Sequence, residues 1–148
     1  MIADLATGEG VPTAAFDCMI LTQTLPFIYD VKKAIANTYG ALKPGGVLLA
    51  SFPGISQISR YDMARWGDYW RFTSLSAQKL LNEVFEAGDI QIEAHGNVLA
   101  AISLLHGLAA EDLEQQELEY SDPDYEVIIT VRAVKAVHEH AEKGLNAV

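Results

Sequence analysis

The sequence predicts an α/β fold: an open sheet with flanking helices, whose last strands run antiparallel to the rest. Three observations predict it. Short apolar runs rich in strand formers alternate with stretches of helical period. The first strand, helix and strand have the spacing of a βαβ crossover, which makes the two strands parallel. A polar turn, "EYSDPD", follows a helical insert and leads into a final long strand, as in sheets that finish on antiparallel strands. The 148 residues suit one domain with its own core. We assign residues 1–136 to that domain and 137–148 to a polar C-terminal tail.

"FDCMILTQTL" (Phe16 to Leu25) is a nearly continuous apolar run after a Gly/Pro turn, the pattern of a strand buried on both faces. In "YDVKKAIANTYGALKPGG" Asp30 caps a helix, and Val31, Ala34, Ile35, Thr38, Ala41 and Leu42 recur at helical spacing before Pro44-Gly45-Gly46 stops it. "GVLLASFP" is the second buried strand. Gly54 to Ser74 lacks a clean period, is dense in aromatic and charged residues, and reads mainly as a long functional loop. "SLSAQKLLNEVFEAG" is a capped helix with Leu75, Leu80, Leu81, Val84 and Phe85 inward and Gly88 ending it. "DIQIEAHG" alternates as a strand. "NVLAAISLLHGLAAEDLEQQELEY" makes one or two helices, apolar first and acidic later, and "YEVIITVRAVKA" is the last strand.

A net charge of −10 with no basic stripe argues against nucleic acid as a partner. No segment reaches the length of a bilayer span, and the start lacks a signal-peptide pattern, so the expectation is a cytoplasmic protein. Cys18, the single cysteine, sits in an apolar run and is expected to be buried and inert. No metal-ligand spacing and no Ser/His/Asp order stands out. "EDLEQQELEYSDPDYE" reads as a solvated helix face and turn, because a calcium loop would need alternate ligands and a glycine turn. His95, ending a strand near the expected cofactor side, reads as a solvated strand-end histidine in preference to a base, and His106 as a partly buried packing residue.

Three quoted pieces, "ADLATGEGVPTAAFDCMILTQTLPFIYD", "ALKPGGVLLASFPG" and "DYWRFTSLSAQKLLNEVF", together resemble the later half of a class I S-adenosylmethionine-dependent methyltransferase. Their order is what makes the resemblance specific: an acidic residue closing the third strand, Phe-Asp opening the fourth, and Leu-Lys-Pro-Gly-Gly leading into the fifth. It covers Ile2 to Phe85 well and the terminal strands loosely. The resemblance implies a partial Rossmann-like methyltransferase sheet, the later strands of a mixed sheet in the family's order 4-5-7-6. It implies S-adenosylmethionine as cofactor, with Asp4 accepting from the adenine amine, Leu5 beside the ring, and Thr22 and Gln23 lining the methionine end. Lys43 to Gly46 becomes a structural turn into strand five.

The family's glycine-rich loop follows its first strand, and "TGEG" is not that loop. No strand precedes it, and Val-Pro-Thr rather than a helix follows. The chain is therefore expected to begin at the family's third strand and, alone, to bind the cofactor weakly or not at all. No residue is assigned as a catalytic base. In the long loop Arg60, Tyr61, Trp66, Tyr69 and Arg71 are candidate contacts for a small-molecule acceptor such as a sugar or metabolite. The competing reading is packing, with Trp66 and Trp70 on one helical turn, and it is favoured for Trp70 and Phe72. Without a neighbouring strand the fourth strand becomes an apolar edge, which predicts a homodimer, with Asn97 to Ala109 covering part of the bare face. A non-catalytic dimerising or partner-binding remnant is the alternative function.

Overall fold

The computed structural model describes residues 2–86 and 89–137. The tail from His138, and Gly88 as the expected helix stop, lie outside the described residues. Four strands, β1 (Phe16–Thr22), β2 (Leu42–Pro53), β3 (Ile90–His95) and β4 (Ile128–Val134), form one sheet in the order β1-β2-β4-β3. β1 and β2 are parallel, and β4 runs antiparallel to both β2 and β3. The predicted order is present, but of the last strands only β4 is antiparallel, and β3 runs parallel to β1 and β2.

Helices α1 (Val31–Ala41) and α3 (Ser74–Asn82) cover one face. Leu21, Leu48, Phe52, Ile129 and Val131 alternate inward from the strands to meet Ile35, Leu81 and Phe85, because successive strand residues point to opposite sides. α1 starts where expected: the Asp30 carboxylate accepts from the Lys33 backbone N–H at 3.2 Å. Thr38 is buried without penalty, since its hydroxyl donates to the Ala34 carbonyl at 2.8 Å. The far end is held by Lys135, whose ammonium donates to the carbonyls of Tyr39 and Leu42 at 2.8 and 2.7 Å. A cation there complements the exposed carbonyls of the last turn.

The structure corrects the reading of Lys43 to Gly46. These residues are not a free turn but the irregular opening of β2, which begins directly after α1. The pairing runs Phe16 with Leu42 and then Cys18 with Val47, so β2 carries the extra residues of a bulge. Gly45 takes a φ of +77° there, and a Cβ on Gly46 would lie 2.8 Å from the Lys43 carbonyl oxygen. α3 opens on a capping box between Thr73 and Ser76, and the Glu126 carboxylate accepts from both the backbone N–H and the hydroxyl of Ser74. Leu75, expected inward, is exposed; the buried face of the helix falls to Ala77 and, one turn on, Leu81.

The opposite face of the sheet is largely open among the described residues. Cys18 and Ile20 on β1 and Leu49 on β2 point to this side, with Arg132, Gln91, Glu93 and His95 farther across. Ile20 is 66% exposed and the Cys18 thiol is also exposed. This overturns the expectation of a strand buried on both faces and of a buried cysteine. The cause is position: β1 is an edge, and no described helix packs over its outer side. Helix α4 (Val98–His106) buries only Ala101 and Ser103, leaving Ile102, Leu104 and Leu105 exposed. His106, expected to be partly buried, is exposed in the last turn before Gly107 ends the helix with φ +75°. After a turn at Ala110–Asp112 and helix α5 (Gln115–Glu119) the chain returns to β4. Asn97 ties this insert together: it caps α4 by accepting from Ala100 N–H and donates to the carbonyls of Glu117 and Tyr120, both at 2.7 Å. No described helix is long and apolar enough to cross a membrane.

Candidate functional site

The carboxyl ends of β1 and β2 lie side by side, and the chain leaves each of them differently. β1 finishes on Thr22, and Gln23 then takes a φ of +51°. This left-handed conformation costs a non-glycine residue roughly 1 kcal/mol. Two bonds hold it there: Gln23 N–H donates to the Ser51 carbonyl at 3.1 Å, and its side-chain amide reaches the Ser51 hydroxyl at 3.3 Å. The exposed amide of Gln23 is thus fixed at the strand end, where open α/β sheets bind ligands.

From β2 the chain enters the long loop, which is more ordered than its lack of period suggested. Helix α2 (Arg60–Met63) is capped by Ser59. The Asp62 carboxylate accepts from the Ser59 hydroxyl at 2.6 Å and from the Trp66 indole N–H at 3.1 Å. The loop is fastened across the strand ends by backbone bonds from Tyr69 to Pro26 and from Phe72 to Pro53, each 2.9 Å. The Trp70 indole donates to the carbonyls of Ile28 and Tyr29.

At its centre is an ion pair between Asp68 and Arg71. The Asp68 side chain is only 2% exposed, whereas that of Arg71 is 30% exposed. Arg71 makes a two-pronged contact with the carboxylate at 2.6 and 3.0 Å, and Ser59 N–H adds a third donor at 2.9 Å. The Arg71 terminal nitrogens also donate to the carbonyls of Gln57 and Trp70. Hydrogen bonds from Arg71 hold the Asp68 carboxyl below the usual carboxylate range against the opposing effect of burial, with the Ser59 N–H adding to the depression. The same pair holds the Arg71 guanidinium charged.

Beneath this clip is a cavity of about 310 Å³ whose lining includes Gln23, Phe27, Ser59, Asp68, Arg71 and Leu104. Of the sequence-predicted candidates it brings together Gln23 and Arg71. Arg60, Tyr61, Trp66 and Tyr69 lie on the exposed outer surface of the loop and do not line it. Trp66 and Trp70 do not share a helical turn, since α2 ends at Met63. The Arg65 guanidinium sits 3.3 Å over the Tyr61 ring, and Tyr69 meets Tyr29 edge to face at 5.4 Å. Trp70 and Phe72 pack as expected, with Phe72 buried. His95 is exposed at its strand end, with Nε2 2.9 Å from the Thr130 hydroxyl.

Asp4 and Leu5 lie apart from this cavity. The Leu5 carbonyl accepts from the Asn37 side chain in the second half of α1 at 2.7 Å. One Asp4 carboxylate oxygen accepts from Ala6 and Thr7 N–H, while the other makes no hydrogen bond among the described residues. Gly8 and Gly10, with φ of +83° and +70°, close this local turn; a Cβ on Gly10 would lie 2.5 Å from the Ile2 carbonyl oxygen. The residues fit one side of S-adenosylmethionine: a carboxylate oxygen suits its adenine amine, and the fixed amide at Gln23 suits its amino-acid end. The described residues contain no strand, glycine loop and helix in sequence to hold the rest. Asp68, Ser51 and Leu104 were not singled out in the sequence; only the spacing of Asp68 three residues before Arg71 hinted at the clip.

The family model described as "Methyltransferase domain" matches residues 2–50. No curated protein matches the chain. An S-adenosylmethionine-dependent methyltransferase from Mesorhizobium loti is 19% identical, with a TM-score of 0.55, over 90% of this chain and 67% of that one. Phosphoethanolamine N-methyltransferase 2 of Haemonchus contortus, solved with S-adenosyl-L-methionine, is 16% identical, with a TM-score of 0.54, over 90% of this chain and 36% of that one. A possible histamine N-methyltransferase from Thermotoga maritima is 16% identical, with a TM-score of 0.50, over 85% of this chain and 59% of that one. The chain thus spans between 36% and 67% of these structures. The fold is Rossmann-like and shared with methyltransferases, and the resemblance to the class I S-adenosylmethionine-dependent enzymes stands.

Proposed function

We propose that the chain forms one wall of an S-adenosylmethionine-dependent methyltransferase site, a wall that meets one side of the cofactor and also the acceptor. The methyltransferase-domain match across Asp4, Thr22 and Gln23 carries this reading, supported by the shared fold. The cofactor supplies an electrophilic methyl group on a sulfonium. The chain's residues act by binding and placement. Asp4 takes the adenine amine with Leu5 beside the ring, and Thr22 and Gln23 hold the methionine end. Gln23 is fixed on Ser51, so its amide needs little reordering when a ligand arrives. The Asp68–Arg71 clip holds the loop over the strand ends, keeping water away and the acceptor in line. Positioning of this kind supplies much of the rate in a two-reactant transfer.

One wall alone should bind weakly, with a dissociation constant near the millimolar range, or about −4 kcal/mol. Titrating isotopically labelled chain with S-adenosylhomocysteine should shift the amides of Ala3 to Leu5 and of Thr22 and Gln23. No response at these amides would remove the reading, and micromolar affinity would remove the single-wall part of it.

The alternative is a dimerising module without catalysis, and one observation favours giving it a test. The outer edge of β1 pairs with no described strand, and Ile20 beside it is 66% exposed. Exposed apolar edges are templates for strand pairing, and a second copy brings the same edge. Sedimentation should show a dimer at micromolar concentration that Ile20→Lys dissociates; a well-folded native monomer refutes it.

A further inference from the structure

We infer that the molecule this chain holds is an amphiphile: its polar end lies under the Asp68–Arg71 clip, and its apolar tail lies in a second cavity beneath α4. The inference rests on the acceptor-side reading above and names the class of acceptor. The second cavity measures about 340 Å³, and His95, Ala100, Ser103, Leu108 and Leu118 are among its lining residues. Leu104, Val127 and Ile128 line both cavities, so the two are neighbours across one shared wall. Each lies within the range of about 300–1,000 Å³ typical of small-molecule sites.

Both cavities have apolar walls, but the polar side chains gather on one side of the shared wall. The first cavity has side-chain amides at Gln23 and Gln57, hydroxyls at Ser56 and Ser59, and the part-exposed Arg71 guanidinium held by Asp68 in its lining. The second is lined by aliphatic side chains, with one buried serine and one histidine as its polar groups. Leu104, Leu108 and Ile128 are 40%, 52% and 44% exposed, although they face concave surface. Apolar area held open in this way is covered favourably by an aliphatic chain. A molecule polar throughout would leave the second cavity wet, and one apolar throughout would strip water from the part-exposed Arg71 guanidinium without replacing it. The walls are braced, because Asn97 bonds the start of α4 to the middle and the C-terminal end of α5.

The probe is octan-1-ol, titrated into the labelled chain beside hexane-1,6-diol, which is polar at both ends. Octanol should give saturable shifts at Gly96, Ala100, Leu104, Leu108 and Val127. The diol should bind at least about tenfold more weakly, as expected from its fewer methylenes and second hydroxyl. Ala100→Trp fills the cavity, and Leu118→Glu, at a half-exposed lining position, places a charge in it without touching the core. Both should weaken octanol about tenfold while leaving the S-adenosylhomocysteine response at Thr22 and Gln23 intact. Shifts spread over Ile20 and Leu49 on the open sheet face, or unchanged by Leu118→Glu, overturn the inference and leave the methyltransferase reading in place. Saturable octanol binding with no response at Gln23 to S-adenosylhomocysteine overturns the methyltransferase reading, and with it the acceptor assignment.

Discussion

Replacing Phe52 by alanine is expected to cost about 4 kcal/mol of folding stability, within the range of about 3–5 kcal/mol for large buried aromatics. Phe52 is fully buried, pairs in register with Ile129 and meets Phe72 edge to face at 4.8 Å. It sits one residue before the end of β2, so its ring joins the sheet to the last turn of the functional loop. The loss combines three effects: transfer of the ring, the cavity left in a close-packed interior, and the lost aromatic pair. A domain of this size has a total stability of only about 5–15 kcal/mol. The variant should therefore unfold at much lower urea concentration by circular dichroism, whereas Phe52→Leu should cost less than half as much. A measured cost below about 1 kcal/mol would mean that α3 collapses onto the vacancy, and that the Phe52–Phe72 contact does not hold the loop to the sheet.

How much of this could be read from the sequence depends on the range of the interaction. The strands and the Asp30 cap were legible because they are set by local periodicity and by side chains three residues from the groups they bond. The β1-β2-β4-β3 order followed from the ordered resemblance, and the antiparallel β4 from the turn before it. The state of Cys18 was not legible. "CMIL" looks alike whether its strand lies in the middle or at the edge of a sheet, and only the pairing tells. The loop failed differently. Its order comes from single bonds to distant carbonyls, such as the Trp70 indole to Ile28 and Tyr69 N–H to Pro26, and these leave no period. Arg71 was legible as a cation but not as one already occupied by Asp68. Leu75 shows the limit of helical spacing, since the face it takes depends on where the Thr73 cap starts the helix.

The second large effect is expected at Asp68. Asp68→Ala leaves the Arg71 guanidinium partly buried with no counter-ion, and should cost about 2–3 kcal/mol, at or below the usual range for breaking a buried pair because Arg71 is open on one side. The damage should be local. The clip joins the loop's two halves, Ser59 on one and Arg71 on the other, whereas α3 keeps its own capping box at Thr73 and Ser76 and its bonds from Ser74 to Glu126. Trypsin should cut faster at Arg60 and Arg65 with the far-ultraviolet spectrum unchanged, and Trp66 emission should shift. Arg71→Lys tests whether the fork matters as well as the charge: an ammonium cannot hold both carboxylate oxygens and the carbonyls of Gln57 and Trp70 in one plane. It should open the loop nearly as much as Asp68→Ala. The dependence on pH fixes the sign independently. The folded carboxyl titrates below its unfolded value, so the clip contributes in full above about pH 4, the unfolded carboxylate value, and its contribution is lost as pH falls through the folded value. Loop cleavage by an acid-active protease should therefore rise only in acid, and Asp68→Asn should be open at neutral pH and flat across the same range. If Asp68→Ala and native chain are cut at the same rate at neutral pH, the loop is held by Tyr69, Trp70 and Phe72 alone, and the ion pair has no part in closing the cavity.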